Sequence, residues 1–326
     1  MYQETVTSLS GVREAQWMQF LLRCGLHPEG QWDSTVLLME DSEIIACGSR
    51  RGNVLKYLAV DPSRQGEGLL GTVITGLKQD AFCHGFEHLF VYTKPENWTL
   101  FGPLFFYNVA RTPKVLLMEN RRNGIETFLE GLSAPKREGK IGAIVMNADP
   151  FTLGHQYLVR QAAAQCDWLY VFVLSEDRGC FRAKDRLEMV RRGTGDLENV
   201  TVHPTGDYLI SSATFPSYFL KDRGNVDREH CRLDLAVFTR WFVPRFGIRC
   251  RFAGTEPNCM VTRAYNEEMA RALPEAGVEF REIPRLEAGQ IPVSAGEVRR
   301  RIRDNRNIRD LVPQSTYAYL KEINRI

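Results

Sequence analysis

The sequence predicts an α/β protein of two domains: an N-terminal α+β domain at 1–132 and a doubly wound, Rossmann-like domain at 141–326. A chain of 326 residues is long enough for two domains. Short apolar runs separated by polar turns fill the first half, whereas strand-like and helix-like segments alternate in the second. Between them, SAPKREGK at 133–140 combines Pro, Gly and charge, which is typical of an exposed linker.

Composition excludes several classes of protein. Lys and Arg total 42 against 40 Asp and Glu, and this near balance argues against a dedicated nucleic-acid binder. No apolar run approaches the roughly 20 residues that cross a bilayer, and the first residues do not resemble a signal peptide. Eight cysteines without a CxxC pair suggest free thiols. We therefore expect a cytoplasmic protein whose partners are small molecules and proteins, with no nucleic acid and no membrane.

The first half begins with an antiparallel meander at 34–60, where the apolar runs STVLLME, IIACGS and VLKYLAV are separated by polar breaks. A helical stretch from residue 69 follows, and then the strand-like segments HLFVYT and VLLME. Cys83, His84 and His88 lie in this region, but the sequence shows no fourth residue that would complete a metal site. We interpret them as packing or surface residues.

The loop before this helix contains Gly66, Gly68 and Gly71 in the spacing GxGxxG. A dinucleotide-binding fold has this motif after its first parallel strand, whereas here three antiparallel strands precede it. We therefore favour a phosphate-binding turn at a helix N-terminus, with a tight loop that binds nothing as the open alternative.

Residues Gln65 and Gly68 resemble the Q/R-x-x-G-x-G/A loop of the GNAT-type acyl-CoA-dependent N-acyltransferases, although Leu70 stands where that family has Gly or Ala. The resemblance implies a GNAT-like fold for 1–132. It also implies that the loop binds a pyrophosphate of the coenzyme A type.

The second half alternates strands and helices. The runs IGAIVM and WLYVFVL are continuously apolar, as in parallel strands buried on both faces, and VTVH and RCRFAG are shorter strand-like segments. Helix-like stretches separate them. This alternation predicts a doubly wound sheet with right-handed crossovers.

The segment NADPFTLGHQ at 147–156 directly follows the first of these strands. Pro150 prevents the strand from continuing, Gly154 has no side chain to hinder a phosphate, and His155 supplies a donor. All of this lies at a helix N-terminus, which favours negative charge. The pattern predicts a nucleotide phosphate site.

Thr152 to His155 resemble the (H/T)xGH signature of the nucleotidyltransferase superfamily. This resemblance implies in-line attack on the α-phosphate of a nucleoside triphosphate, with Thr152 and His155 donating hydrogen bonds to phosphate oxygens, neither serving as a base. It also implies that Ser294 and Arg299 in IPVSAGEVRRRIRD hold the β- and γ-phosphates. The further nucleotide-binding residues that it implies are Asn147, Pro150, Phe151, Gly154, Arg178, Arg186, Gly254, Thr255 and Glu256.

The order of the two domains and most of the chain resemble the citrate lyase ligase family. This implies that ATP and acetate form acetyl-adenylate and pyrophosphate, and that the acetyl group then passes to a thiol. The thiol belongs to the coenzyme-A-like prosthetic group on the acyl carrier subunit of citrate lyase, and AMP leaves. Mg²⁺ is expected to arrive with the triphosphate, without dedicated protein ligands. We expect the loop from Gln65 to Gly68 to bind the prosthetic arm.

Two points stay open at this stage. Tyr208, Ser211, Ser212 and Thr214 either line the acetate pocket or contact the carrier, or else they form only a capped loop. Alternative functions are a plain nucleotidyltransferase such as a pantetheine-phosphate adenylyltransferase, an active GNAT acetyltransferase fused to a nucleotide sensor, and a non-catalytic adaptor. Acetate-dependent exchange of pyrophosphate into ATP separates the first of these from the ligase.

Overall fold

The computed structural model describes residues 1–28, 30–135, 138–177, 179–209, 215, 218–220, 226–255, 260–288 and 291–326. The chain divides into two compact units. The first comprises Met1–Gly124 and Phe215–Glu229, and the second comprises Ile125–Thr214 and His230–Ile326. Within the described ranges, no helix is long and apolar enough to span a membrane.

The first unit is built on a seven-stranded sheet with the order β1-β2-β3-β4-β5-β7-β6. Its elements in chain order are β1 (Tyr2–Val6), α1 (Gly11–Arg23), β2 (Ser34–Glu40), β3 (Glu43–Arg51), β4 (Val54–Val60), α2 (Leu69–Cys83), β5 (Phe90–Thr93), α3 (Trp98–Phe101), β6 (Tyr107–Arg111) and β7 (Leu116–Glu119). Neighbouring strands are antiparallel except β4 and β5, which are parallel.

Helix α2 packs its apolar residues on the sheet of the first unit. A Cβ atom at Gly48 of β3 would lie 2.7 Å from Val73 and 2.8 Å from Leu77, so the helix approaches the sheet only because this residue has no side chain. The antiparallel meander predicted at 34–60 is confirmed. Three elements that were not predicted from the sequence, β1, α1 and β6, complete this unit.

The second unit contains the remaining elements. They are α4 (Gly124–Glu130), β8 (Ile141–Met146), α5 (Leu153–Ala163), β9 (Trp168–Val173), α6 (Ala183–Thr194), β10 (Val200–Pro204), α7 (Val226–Val237), α8 (Val243–Phe246), β11 (Cys250–Gly254), α9 (Met260–Glu275), β12 (Glu279–Ile283), β13 (Glu287–Ala288), β14 (Ile291–Pro292), α10 (Ala295–Arg303) and α11 (Gln314–Glu322). One π-helical turn at Phe238–Phe242 joins α7 to α8. The first few residues of α7 are the only part of it that falls in the first unit.

Strands β10-β9-β8-β11-β12 form a five-stranded sheet in which every pair is parallel. The first strand along the chain, β8, lies in the middle, with β9 on one side and β11 on the other. The order therefore reverses beside β8, and such a switch point opens a crevice at the carboxyl ends of the strands. The doubly wound class is confirmed. Strand β12 went unpredicted because the edge-strand sequence EFREI is mostly polar.

The two units do not coincide with the predicted limits of 1–132 and 141–326. Most of α4 lies in the second unit, where Phe128 packs 5.4 Å from the ring of Tyr208 and the carbonyl of Leu129 accepts a hydrogen bond from Arg245. Residues 215–229, which follow β10, lie in the first unit. The first division between the units falls between Gly124 and Ile125, before the segment 133–140, and the linker there stays a prediction.

The seven cysteines in the described part of the chain are free thiols. His84 contacts the backbone carbonyl of Asp80 through Nδ1, and His88 contacts the carboxylate of Glu119 through Nε2. Among the described residues, no group of three or more His, Cys, Asp or Glu side chains is arranged to hold a metal ion.

Candidate active site

A cavity of about 360 Å³ opens at the carboxyl ends of β8 and β11, at the switch point of the parallel sheet. This volume lies within the usual range for small-molecule sites. The polar residues that line it come from four segments of the second unit: Asn147, Thr152, His155, Tyr157, Arg251, Thr255, Thr262, Tyr265, Asn266 and Arg285. Gly154 and Gly254 also form part of its wall.

The N-terminus of α5 is closed by a reciprocal pair of hydrogen bonds. Thr152 caps the helix, because its Oγ1 accepts from the backbone N–H of His155 at 3.3 Å. In return, the backbone N–H of Thr152 donates to Nδ1 of His155 at 3.1 Å. This capping box fixes the imidazole beside the first turn of the helix. Thr152 is buried, so its hydroxyl acts first as a cap.

The capping box also fixes the proton on His155. A neutral imidazole that accepts at Nδ1 carries its proton on Nε2, which is then the donor available to a ligand. Burial, and to a lesser extent the positive charge of Arg285, lowers the pKa of His155 to about 4. The ring is therefore neutral at pH 7 and suited to donate a hydrogen bond without losing a proton.

A second helix N-terminus lies against the first. Ser294 caps α10 by accepting from the backbone N–H of Glu297 at 3.1 Å. A Cβ atom at Gly154 would lie 3.2 Å from the carbonyl oxygen of Val293, so glycine permits this close approach. Two positive helix ends thus meet at the wall of the cavity, an arrangement that favours an anion.

Arg299 and Asp149 join the two helix N-termini. Nη1 of Arg299 donates to the carbonyl oxygen of Asp149 and lies 3.6 Å from its carboxylate. The same carboxylate accepts from the backbone N–H groups of Cys180 at 3.0 Å and Phe181 at 2.9 Å. A Cβ atom at Gly179 would come within 2.7 Å of it. Asp149 lies inside the motif at 147–156, but its role could not be predicted because its partners are distant in sequence.

The predicted role of Arg186 as a direct nucleotide ligand needs correction. Its side chain is fully buried, and its donors go to the backbone carbonyls of Phe181, Asn147 and Glu176 and to the side chain of Asn147. Arg186 therefore positions the loop after β8, and Asn147 is held by it at the edge of the cavity.

Phe151 is likewise a core residue. It is fully buried, and its ring stacks on His155 with the centroids 5.8 Å apart and the planes 14° apart. Neither Phe151 nor Pro150 is part of the cavity wall. Both shape the turn that carries the imidazole.

Gly254 and Thr255 line the cavity at the end of β11, on the other side of the switch point. Oγ1 of Thr255 accepts from the backbone N–H of Arg285 at 3.1 Å, which ties the end of β11 to the segment after β12. Arg178 and Glu256 lie outside the described residues, as do Ser211, Ser212 and Thr214. Tyr208 is buried against Phe128 and is not part of the cavity wall.

Several cavity residues escaped the sequence analysis. Arg251 lies in β11 and Arg285 follows β12. One face of α9 contributes Thr262, Tyr265, Asn266 and Met269. Their spacing of i, i+3, i+4 and i+7 was visible in the sequence as a helix face, but nothing local indicated which cavity it would line.

In the first unit, Gln65 and Gly68 belong to the loop that precedes α2. Gly68 is the N-cap residue, with φ of 77°, and Gly66 has φ of 92°, so both adopt the left-handed conformation that favours glycine. Arg64 beside them is paired with Glu40 and with Glu67. Apart from its neighbours in the chain, no described residue has an atom within 4 Å of a Cβ built at Gly68.

The doubly wound unit, with a cavity at its switch point and two capped helix N-termini in the wall, defines a protein of the nucleotidyltransferase-like class. Residues 141–320 match the profile of the citrate lyase ligase C-terminal domain. The chain is 42% identical over 313 residues to citrate (pro-3S)-lyase ligase of Klebsiella pneumoniae, which covers 94% of this chain and 92% of that protein. The chain therefore belongs to the citrate lyase ligase family.

Other similarities are weaker or shorter. The citrate (pro-3S)-lyase ligase of Escherichia coli is 39% identical over 318 residues, covering 95% of this chain and 90% of that protein. A phosphopantetheine adenylyltransferase of Dehalococcoides mccartyi is 34% identical over 67 residues, or 20% of this chain and 42% of that protein. A solved acyl-CoA N-acyltransferase from Pseudomonas aeruginosa is 12% identical with a TM-score of 0.32, covering 37% of this chain and 99% of that one.

Proposed function

We propose that the protein uses ATP to activate acetate and transfers the acetyl group to the thiol of the coenzyme-A-like prosthetic group on the acyl carrier subunit of citrate lyase. The end-to-end similarity to citrate (pro-3S)-lyase ligases supports this reaction. The structural observation that carries it is the meeting of two capped helix N-termini and a neutral imidazole at one cavity.

In this proposal, the triphosphate of ATP lies across the N-termini of α5 and α10. Nε2 of His155 donates to a phosphate oxygen, and Thr152 keeps the imidazole in position. Ser294 orients the start of α10, and Arg299 faces the β- and γ-phosphates. Donors that are fixed before the substrate binds stabilise the charge that develops on phosphate during in-line attack.

The first step needs no general base. Acetate is ionised at neutral pH, because a carboxyl group of its kind has a pKa of about 4. One of its oxygens bonds to the α-phosphorus, the bond from that phosphorus to the bridging oxygen breaks, and pyrophosphate leaves with the electron pair. The neutral His155 fits this chemistry, since it contributes a donor and no proton transfer is required of it.

In the second step, the sulfur of the prosthetic group bonds to the acetyl carbon. The bond from that carbon to the oxygen on phosphorus breaks, AMP leaves, and the thiol proton passes to solvent.

Mg²⁺ belongs to the substrate in this scheme, entering as the ATP complex. The free cysteines accord with a reducing compartment, which supports the cytoplasm as the site of the reaction.

We assign the loop from Gln65 to Gly68 to binding of the prosthetic arm. Its left-handed glycines carry no side chain, and one of them, Gly68, begins α2, where the positive end of the helix suits a pyrophosphate. This assignment is separate from the chemistry at the cavity of the second unit and is tested separately below.

The test uses the purified full chain with ATP, Mg²⁺ and acetate. We expect exchange of labelled pyrophosphate into ATP that depends on acetate, and formation of AMP and carrier thioester once the deacetylated carrier is added. Exchange that requires a phosphate ester such as phosphopantetheine and ignores acetate would instead support the plain nucleotidyltransferase.

A further inference from the structure

Arg251 is a buried cation in the wall of the cavity. It lies in β11 and is only 3% exposed, yet it is one of the residues that line the cavity of the second unit. Its guanidinium lies between two aromatic rings, with Cζ 4.3 Å from the centroid of Phe238 and 5.7 Å from that of Tyr265. The rings restrict how the guanidinium can turn.

One half of this guanidinium is engaged. Nη2 donates to the hydroxyl of Tyr265 at 3.1 Å, and that hydroxyl donates in turn to the carboxylate of Asp234. Asp234 itself lies 3.9 Å from Nη2, beyond hydrogen-bond distance. The hydroxyl of Tyr265 therefore bridges the guanidinium of Arg251 and the carboxylate of Asp234.

The other terminal nitrogen of the guanidinium lacks a hydrogen-bond partner among the described residues. Nη1 of Arg251 is buried and makes no hydrogen bond within the described residues. A buried donor that lacks a partner is costly, and a charged one more so, so native structures seldom keep one without a reason. A ligand that supplies an oxygen at this point would remove that cost.

We propose that Arg251 is the carboxylate-binding residue for acetate. A carboxylate is a preferred acceptor for a guanidinium, and one of its oxygens would supply the partner that Nη1 of Arg251 lacks. Asp234, 3.9 Å from Nη2, offsets part of the positive charge of Arg251, and a monoanion such as acetate suits the charge that remains. Arg251 and Met269 line the same cavity, so a cation and an apolar side chain are both available to a small carboxylic acid there.

This inference rests on the proposed function, and the experiment separates the two. Arg251→Met keeps a long apolar side chain between the rings and removes the charge. In acetate-dependent exchange we expect its KM for acetate to rise about 10- to 100-fold, as for loss of hydrogen bonds to a charged group. The Kd for ATP, measured by calorimetry without acetate, is expected to stay within about threefold.

Two further variants guard against a merely structural explanation. Arg251→Lys keeps the charge but loses the planar fork, and we expect it too to raise the KM for acetate. Tyr265→Phe leaves the guanidinium in place, and we expect a smaller rise than for Arg251→Met. Arg281→Gln, on the neighbouring strand β12 with an exposed side chain paired with Glu279, is the matched control and should behave as wild type.

The outcomes are distinct. A folded Arg251→Met variant with unchanged KM for acetate overturns the assignment while the proposed function stands. An equal rise in KM for Tyr265→Phe and Arg251→Met also overturns it, because packing of the network would then be responsible. Wild-type exchange that does not depend on acetate overturns the proposed function and this inference together.

Discussion

The two units each present a glycine-containing loop at the N-terminus of a long helix, yet the two helix starts are built differently. At α5, the cap is a reciprocal Thr152–His155 pair, and the Arg299–Asp149 contact joins it to a second helix. At α2, the cap is Gly68 without a side-chain hydrogen bond, and nearby Arg64 is already paired with Glu40 and Glu67. Side chains held in fixed positions surround the start of α5, whereas the start of α2 has only backbone N–H groups for a ligand.

The largest expected effect concerns the two nitrogens of His155. His155→Asn can still accept from the backbone N–H of Thr152 but has no donor in the place of Nε2. We expect it to fold normally and to lose about 10² to 10³ in kcat for acetate-dependent exchange, as for loss of one fixed donor to a developing charge.

His155→Gln is the complementary variant, because its longer amide carries a donor that can reach toward the Nε2 position. We expect it to keep more activity than His155→Asn. The reverse ranking would remove Nε2 from its assigned role.

The second-largest effect is expected from loss of the contact between Arg299 and Asp149, which joins the starts of α10 and α5. Arg299→Gln should lower kcat by about 10- to 100-fold, because the donor that we propose for the phosphates is lost together with its hydrogen bond to Asp149. Arg300→Gln is the matched control, since Arg300 is on the same helix, is 54% exposed and pairs with Glu297. Equal rates for the two variants would mean that Arg299 is a surface residue like its neighbour.

A smaller effect is expected at the loop of the first unit. Gly68→Asn adds a side chain, and asparagine tolerates the left-handed conformation better than other residues. We expect the KM for the carrier to rise about 3- to 10-fold, with acetate-dependent exchange unchanged, as for loss of a neutral hydrogen bond. Gly85→Asn, at the other end of α2 with φ of 81°, controls for strain alone. An unchanged KM for the carrier in Gly68→Asn would refute arm binding by this loop.

The smallest effect is on stability. The pKa of His155 in the folded protein, about 4, lies below its ordinary value of 6.5, so the unfolded chain binds more protons between these values. Stability from this group is complete above pH 6.5 and is lost as the pH falls toward 4. Between pH 7.5 and 5, wild type should lose on the order of 1 kcal/mol more than His155→Asn in urea unfolding. Parallel losses in both proteins would contradict the lowered pKa.

Local features of the site could be predicted from the sequence. The turn after β8 combines Thr152, Gly154 and His155 within one helical turn, and Ser294 caps α10 three residues before its partner Glu297. Such patterns depend on neighbours in the chain, so they can be identified without the fold.

The long-range features could not be predicted. Arg299 and Asp149 are 150 residues apart, and Tyr265 and Asp234 are 31 apart. The sequence identified Arg186 as a cation near the site, but its donors point to backbone carbonyls. The type of a residue indicates which groups its side chain can bind, whereas the fold determines which of those groups lie within its reach.

The most direct test of the central claim follows the oxygen atoms of acetate. When the protein makes carrier thioester from ATP and acetate labelled with ¹⁸O, attack of acetate on the α-phosphorus leaves one labelled oxygen on AMP. We predict that mass spectrometry will find one ¹⁸O atom in AMP and none in pyrophosphate. Unlabelled AMP formed together with labelled acetyl thioester would contradict acetyl-adenylate formation.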